Sequence, residues 1–468
     1  MAARLLEALG PDVVRTAPED LAAYAYDGYS ESQPPAAAVI PRDAREVAVA
    51  VRIAVECGAP VVPRGAGTGL CGGAVPARGG LVVSLARLNR ILSLDVRNRR
   101  ATVQPGLINL DLSRAISAHG IFYAPDPASQ KISTIGGNVG TNAGGPHCLS
   151  YGTTTNHVLG LEIVTASGKV VRTSIDDAGY DLTGALVGSE GTLGIVTAVD
   201  VRLMRLPEAV RVCVASFPDV EAASAAVTAI IGAGIVPTAL EIMDQFVTRA
   251  VEAHYHAGYP AEAGAVLLVE VAGLADDINH LERAIERIAR DCAALGWRAA
   301  QSQRERDLLW ASRKGAAGAL GRIAPNFYIQ DACVPRTKLP QIMHEIAAIS
   351  RDHDIPVGNV FHAGDGNLHP LLVFDRRHPR EVQAVIDAGT EILRACIAMG
   401  GTISGEHGIG YEKRETLSMV FSNDDLGAMT RVRDVFDPMR TFNPGKIFPS
   451  GASCVEAARP TAERFVPV

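Results

Sequence analysis

The sequence predicts an α+β protein with more than one domain. Its 468 residues exceed what a single hydrophobic core usually organises, so two or more domains are expected. Short β-like runs alternate with helical segments, and the 46 glycines lie in bursts between them. Glycine bursts let the backbone approach a bound molecule closely. The same observations therefore predict both the fold class and a ligand held by loops.

Composition narrows the class of protein. A hydrophobic fraction of 47%, a charged fraction of 20% and a net charge of −7 are typical of a soluble globular protein and argue against a nucleic-acid binder. Acidic residues occur early, and no apolar stretch follows that would indicate a secretory signal. The long uncharged stretch 222–240 contains Pro237 and predicts a helix, a turn and a strand, not a membrane span.

The eight cysteines occur singly, with no CxxC spacing. This pattern favours a reducing compartment and excludes an evident zinc ribbon or iron–sulfur cluster. We therefore expect a cytoplasmic protein that approaches a membrane only peripherally, through a partner.

The first predicted domain spans residues 1–207 and mixes strands, helices and glycine-rich turns. We predict its first elements as the strand Ala37–Ile40, the helix Ala44–Cys57, the strand Pro60–Pro63 and the strand Leu81–Ser84. The pattern of predicted strands and helices changes after Pro207, which marks the boundary between the first and second domains.

The second predicted domain spans residues 208–410 and is more regular. Strand, helix and strand occur at 211–217, 220–231 and 238–243, and the pattern recurs at 265–272, 276–295 and 297–301. Two such units predict a ferredoxin-like arrangement, with helices on one face of a sheet. Residues 411–468 are predicted as a helical segment that returns to the first domain.

Gly67-Thr-Gly69-Leu-Cys-Gly72 matches the dinucleotide pattern GxGxxG as a string. A Rossmann loop must run into a helix, but here more turn residues and then a strand follow. A nicotinamide fold is therefore disfavoured. Either the loop is a nest of backbone N–H groups that grips a diphosphate, or it is a plain surface turn.

Two further stretches are rich in small residues, Pro125–Gly145 and Gly188–Ile195. Long segments with little apolar content inside a compact domain are usually functional or disordered. Three such loops in one domain indicate an extended cofactor approached closely by the backbone.

His362 and His369 flank Asp365-Gly366 between two apolar β-like runs. Asp-Gly in this context is a strong hairpin signal. With these two residues as the loop, His362 would pair with His369, about 5 Å apart on one sheet face. The pair could share a metal, or it could be structural.

Gly405-Glu406-His407-Gly408 places two adjacent polar residues between glycines. The glycines let both side chains enter one site. Two histidines and a carboxylate are a common ligand set for zinc, and manganese or iron are alternatives. Glu406 could complete that set and leave His407 as an acid–base group; a helix end with solvated charges is the alternative.

Trp310 and Arg313 lie on one face of a predicted helix. An arginine can donate two parallel hydrogen bonds to a carboxylate. From the residues alone, an ordinary solvated charge is the favoured interpretation.

The three glycine-rich stretches resemble the FAD-binding domain of the PCMH-type, or vanillyl-alcohol-oxidase, flavoproteins. The histidine, glutamate and arginine motifs are similar to those of the D-lactate dehydrogenase and glycolate oxidase catalytic-subunit branch, over nearly the whole chain. The first loop lacks the histidine through which some relatives attach flavin, so FAD is expected to be non-covalent. The resemblance implies that FAD contacts Arg64, Gly65, Gly67, Thr68, Gly69, Leu70, Pro125, Asp126, Ser133, Gly136, Gly137, Gly140, Thr141, Asn142, Gly144, Glu190, Gly191, Gly194, Ile195 and Asn443.

The resemblance also implies a role for each motif of the second domain. It implies a divalent metal on His362, His369 and Glu406, a catalytic base at His407, and a substrate carboxylate bound by Arg313. Relatives that act on dicarboxylates carry polar groups after this arginine, whereas Ala316, Ala317 and Ala319 follow here. A monocarboxylate of the size of lactate or glycolate is therefore expected, with the D preference taken from the resemblance.

The resulting hypothesis is oxidation of a 2-hydroxy acid to a 2-oxo acid with hydride transfer to flavin N5. Electrons are then expected to pass to an acceptor protein or a quinone, and the chain could form a homodimer. Two rivals remain: a non-redox transferase resembling alkylglycerone-phosphate synthase, and a non-catalytic flavin subunit of a larger complex.

Overall fold

The computed structural model describes residues 1–29 and 31–450, which form two compact units. Among the described residues, the first unit contains Met1–Gly145, Gly152–Leu206 and residues 406–450. The second contains Pro146–Tyr151 and Pro207–Gly405. The segment after Glu406 thus rejoins the first unit, and six residues near position 150 belong to the second.

The first unit is organised by two sheets. One has the order β1-β2-β4-β3, with parallel pairing of β4 to both β2 and β3. The other is antiparallel, with the order β5-β6-β10-β8-β9, and β7 pairs with β11 separately. The strands are β1 Val14–Arg15, β2 Ala37–Val39, β3 Val61–Arg64, β4 Leu81–Ser84, β5 Ile91–Asp95, β6 Arg100–Val103, β7 Ile121–Phe122, β8 Val158–Val164, β9 Val170–Ser174, β10 Ile195–Arg202 and β11 Met204–Arg205.

Helices cover these sheets and contribute to their cores. Seven are named here in chain order, of which α6 belongs to the second unit: α1 Ala2–Leu9, α2 Pro18–Leu21, α3 Ala44–Glu56, α4 Asn109–Ile116, α5 Ile135–Thr141, α6 Cys148–Tyr151 and α7 Leu182–Leu186. The side chain of Asp43 accepts hydrogen bonds from the first-turn amides of α3, a typical N-cap. Val47, Val51 and Ala54 recur at helical spacing and are buried against the first sheet.

The second unit is built on an extended sheet. Its order is β15-β12-β14-β13-β18-β19-β17, and β20 pairs with β16 and β18. The strands are β12 Ala209–Phe217, β13 Ala239–Asp244, β14 Ala265–Gly273, β15 Gly296–Ala299, β16 Asn326–Ile329, β17 Ala332–Cys333, β18 Val357–His362, β19 Asn367–Leu368 and β20 Pro370–Phe374. The first four have the order 4-1-3-2 by chain position, which confirms the predicted ferredoxin-like arrangement.

The prediction that helices cover only one face of this sheet was wrong. Val212 and Val214 of β12 pack with α9, α11 and α12, while the alternate residues Cys213 and Ala215 are also buried and α8 and α10 contact the same strands. The remaining helices are α8 Val220–Gly232, α9 Gln245–Tyr255, α10 Ala275–Asp291, α11 Gln303–Lys314, α12 Ala316–Leu320, α13 Leu339–Asp352, α14 Pro379–Ala398 and, in the first unit, α15 Asn423–Phe436.

The uncharged stretch 222–240 forms most of α8 and the start of β13, as predicted. Within residues 1–29 and 31–450, none of the helices combines the length and the apolarity needed to traverse a bilayer.

Candidate active site

The first unit encloses a cavity of about 330 Å³ between its glycine-rich loops. All three predicted loops contribute to its wall. Predicted cofactor residues on the wall are Arg64, Gly65, Gly67, Thr68, Gly69, Leu70, Ser133, Gly136, Gly137, Gly140, Thr141, Gly144, Glu190, Gly191 and Gly194.

Close packing between the loops explains why their residues are small. A Cβ atom on Gly65 would lie 2.5 Å from Thr134 Oγ1, and one on Gly191 would lie 2.4 Å from Pro63 Cγ. Thr134 Oγ1 is already engaged, because it accepts a hydrogen bond from the Gly137 amide at the start of α5. The loops can therefore meet only if these positions carry no side chain.

The first loop runs through turns from Arg64 to β4 without forming a helix, as the rejection of a Rossmann site predicted. The Arg64 guanidinium packs against this loop. It donates a hydrogen bond to Tyr26 O at 2.6 Å, and a Cβ atom on Gly67 would collide with it. Gly67 has a φ of 71°, a conformation that favours glycine.

Five residues predicted to bind the cofactor are not among those that line the cavity: Pro125, Asp126, Asn142, Ile195 and Asn443. Asn443 instead donates its side-chain amide to the backbone carbonyl groups of Gly73 and Glu190, at 3.0 and 2.7 Å. Asn443 therefore contacts the backbone of the loops that form the cavity.

Two buried charges in this unit were not predicted. Asp27 lines the cavity and accepts hydrogen bonds from the amides of Tyr29 and Ala74, and burial raises its pKa. Lys446 donates to Gly73 O and Val75 O, and burial lowers its pKa to about 7. Ala74 is 47 residues from Asp27, and Gly73 and Val75 are more than 370 residues from Lys446, so no local motif indicates either role.

Glu406 and His407 also line this cavity, as the first residues of the returning segment. His407 Nε2 lies 4.0 Å from Glu406 Oε1. The base predicted from sequence thus belongs to the wall of the predicted cofactor cavity.

In the second unit, one buried carboxylate joins two predicted site residues. Glu241 of β13 lies opposite His362 of β18 in the sheet, and its oxygens are 2.7 and 2.9 Å from His362 Nδ1. Glu241 also forms an ion pair with Arg313 of α11. Sequence reasoning missed Glu241; the available signal was a charged residue in the middle of an apolar strand.

The predicted register of the histidine hairpin was wrong. His362 pairs with Asn367 rather than with His369, because the loop has four residues, 363–366, instead of two. The two imidazole rings nevertheless lie 5.2 Å apart, centroid to centroid, and one ring nitrogen of each lies within 4.8 Å of the other. That spacing allows both rings to coordinate one ion.

A second carboxylate, also missed, lies beside His369. Asp331 Oδ1 is 3.5 Å from His369 Nε2, and Asp331 Oδ2 accepts hydrogen bonds from Ser404 Oγ and the Gly405 amide. In metal sites, a carboxylate that contacts a ligating histidine usually orients the imidazole ring. The two histidines with Glu241 and Asp331 therefore fit a metal centre.

Trp310 is held by a third buried carboxylate. Its Nε1 donates to Glu270 Oε2 at 2.6 Å, and His147 Nε2 lies 3.0 Å from Glu270 Oε1. The His147 and Trp310 rings are 5.4 Å apart. By contrast, Ala316 and Ala319 pack in the hydrophobic core, so packing suffices to explain their small size.

Comparisons with known proteins identify the family. Residues 206–447 match the family of FAD linked oxidases, C-terminal domain, and residues 35–174 match the FAD binding domain family. The glycolate oxidase subunit GlcD of Escherichia coli strain K12 is 42% identical over 442 residues, which cover 94% of this chain and 89% of that protein. The probable mitochondrial D-lactate dehydrogenase of Danio rerio is 32% identical over 89% of this chain and 84% of its own length.

A solved structure agrees with the fold. p-Cresol methylhydroxylase with substrate bound superimposes with a TM-score of 0.79 at 15% identity, covering 95% of this chain and 96% of that one. This likeness, together with the two family matches, confirms the fold class. The chain therefore belongs to the family of FAD-linked oxidases with a PCMH-type FAD-binding domain, and it is an FAD-linked oxidoreductase.

Proposed function

We propose that the enzyme oxidises a small D-2-hydroxy acid, of the size of lactate or glycolate, to the 2-oxo acid. Arg313 carries this proposal: its side chain is 8% exposed, and among the described residues its Nε has no hydrogen-bond partner. A buried guanidinium with an unsatisfied donor suits a planar carboxylate. The names of the relatives, glycolate oxidase subunit and D-lactate dehydrogenase, support the same substrate class.

Each proposed step uses a residue of this chain. Arg313 binds the substrate carboxylate and so orients the Cα–H bond. His407 accepts the proton of the substrate hydroxyl on its imidazole, a side chain commonly used as a general base. FAD, held non-covalently by the loops of the first unit, supplies the hydride acceptor at N5.

We further propose that His362, His369 and Glu406 hold one divalent metal, with zinc first and manganese or iron as alternatives. Glu406 directly follows Gly405, whose amide is bonded to the Asp331 carboxylate beside His369, and this chain connection supports Glu406 as the third ligand. Such an ion would supply positive charge next to the substrate oxygens. Its identity does not affect the roles assigned to Arg313 and His407.

The reduced enzyme is proposed to pass its electrons to a protein or quinone acceptor. The word "subunit" in the name of the Escherichia coli relative supports a partner component. The sequence-based expectations of a homodimer and of a cytoplasmic location, peripheral to a membrane through the partner, remain proposals.

Anaerobic mixing with a panel of D- and L-2-hydroxy acids tests the proposed function. We expect D-lactate or glycolate to bleach the flavin absorbance within one turnover. A flavin that no hydroxy acid reduces would favour one of the two rivals, the non-redox transferase or the non-catalytic subunit. Acid precipitation of the same sample should release the flavin; colour that stays with the precipitate would contradict non-covalent binding.

Replacement of the proposed base gives a second test. His407→Ala should slow flavin reduction by about 10²–10⁴-fold, the usual contribution of a positioned base. FAD absorbance and metal content should stay at the wild-type level. A wild-type rate of reduction would assign the proton transfer to another group.

A further inference from the structure

The side chain of Glu190 is half-buried in the first unit, and its carboxylate binds backbone amides. One oxygen accepts the Ile409 amide and the other accepts the Gly410 amide, each at 2.7 Å. Burial raises the pKa of Glu190, while these two bonds act in the opposite direction. The Glu190 side chain is thus hydrogen-bonded to the backbone two and three residues after His407.

Two local features show how closely this contact is fitted. A Cβ atom on Gly408 would lie 2.8 Å from Glu190 Oε1, so the residue next to His407 must be small. Glu190 itself has a φ of 50°, a backbone conformation that non-glycine residues rarely adopt. A strained residue that is nevertheless not glycine is typical of a position whose side chain has a task.

The same segment is tied to the first glycine-rich loop from the other side. Cys71 O accepts the amides of Tyr411 and Glu412, and Cys71 Sγ lies 3.1 Å from Gly408 O. These contacts act mainly on residues after Gly410. Cys71 thus holds Gly408 and the residues after Gly410, while the Glu190 side chain holds the two residues between them, Ile409 and Gly410.

We propose that Glu190 is a positioning residue for His407: its carboxylate fixes the backbone at Ile409 and Gly410 and so sets where the imidazole lies on the cavity wall. Glu190 was predicted to bind the cofactor, and it does line the cavity. The inference rests on the proposed role of His407 as the base. It assigns Glu190 an effect on the rate of flavin reduction rather than on FAD binding.

A double-mutant cycle tests this assignment. Flavin reduction by saturating substrate is measured by anaerobic stopped flow in the wild type, Glu190→Gln, His407→Ala and the double variant. Glutamine has a similar shape but offers one acceptor oxygen, so one of the two amides loses its partner. Glu190→Asp, which keeps the charge on a shorter side chain, serves as the second variant if Glu190→Gln does not fold.

We expect Glu190→Gln to slow reduction by about 10–100-fold with an unchanged FAD content and a nearly unchanged KM. In the His407→Ala background the same substitution should have almost no further effect, because residues that act through each other are not additive. Amide exchange of Ile409 and Gly410 should become faster in Glu190→Gln. Asp437→Asn is the matched control: Asp437 is a buried carboxylate of this unit that accepts a backbone amide, that of Phe442 at 2.6 Å, and reduction should keep the wild-type rate.

The outcomes separate the two hypotheses. Equal slowing by Glu190→Gln in both backgrounds, or no slowing at all, overturns the positioning role. A wild-type rate in His407→Ala alone would instead identify the proposed base as the error. Loss of FAD from Glu190→Gln, with a normal rate in the fraction that retains FAD, would assign Glu190 to cofactor binding only and also overturns the inference.

Discussion

The two units build their candidate sites by different physical means. The first unit surrounds its cavity with glycines and other small residues, and the loops touch where a single Cβ atom would not fit. The second unit gathers buried charged and polar side chains, including Glu241 and His362 on strands of its sheet and Arg313 on the buried face of α11. Under the proposed function, shape and close approach would hold the cofactor, whereas buried charges would select the substrate.

This contrast predicts that substitutions in the two units affect different properties, FAD content in one and the rate of flavin reduction in the other. Substitutions among the small residues should reduce FAD content, because the loops lose their contact. Substitutions among the buried charges should leave FAD bound and slow its reduction, because they act on substrate or metal. A variant that loses both properties together would break the comparison.

Removal of the proposed metal should have the largest effect on activity. Dialysis against a chelator, or His369→Ala, should lower flavin reduction by about 10³-fold or more, because the substrate oxygens lose their neighbouring positive charge. The flavin spectrum should remain, and zinc or manganese should restore the dialysed enzyme. Full activity in a sample without a stoichiometric ion in elemental analysis would remove the metal from the proposal.

Arg313→Lys should have the next largest effect. A lysine cannot donate two parallel bonds to a carboxylate, so kcat/KM should fall by roughly 10²–10³-fold, about 3–4 kcal/mol. Arg304→Lys, on the exposed side of the same helix, should match the wild type. Equal losses in both variants would mean that Arg313 acts on the helix and not on substrate.

Gly65→Ala probes the first unit. The added Cβ atom would meet Thr134 Oγ1, so we expect the Kd for FAD to rise by about 10-fold or more, from a strain of about 1–3 kcal/mol. Thr134→Ala in the same chain should recover part of the loss. Gly232→Ala, where a Cβ atom meets nothing within 4 Å, is the control, and equilibrium dialysis of FAD gives the measurement. An unchanged Kd for FAD in Gly65→Ala would show that the loops can shift to accommodate the added Cβ atom.

Lys446→Met should leave activity least affected and change the pH dependence of stability. Burial lowers the folded-state pKa of Lys446 from 10.5 to about 7, so the unfolded chain binds more protons between these pH values. Wild-type stability should therefore rise with pH across this window relative to the variant, by at most about 1.4 kcal/mol per pH unit, and the difference should be constant below it. Denaturant unfolding of both proteins at several pH values measures this; parallel curves would contradict a charge-neutral Lys446.

The sequence predicted the elements and loops better than the contacts of individual charges. Helix α3 and strand β4 follow from periodicity and capping, which are local, and the glycine-rich stretches indicated the cavity. Glu241 was missed because its histidine partner is 121 residues away. The hairpin register failed because the turn depends on distant contacts: a Cβ atom on Gly366 would lie 2.1 Å from Val334 O.

The attachment of Asn443 and Lys446 to the first loop has a consequence for biosynthesis. The Lys446 ammonium group donates a hydrogen bond to the Gly73 carbonyl across 373 positions of sequence, and the backbone amide of Asn443 donates to Val61 O. On a ribosome that extends the chain by about 5–20 residues per second, the first unit must wait roughly 20–70 seconds for these residues. The described part of the second unit is synthesised earlier, because it ends at Gly405. Nascent chains halted before residue 440 should therefore fold the second unit first, and the newly made enzyme should acquire its flavin as one of the last steps of its synthesis.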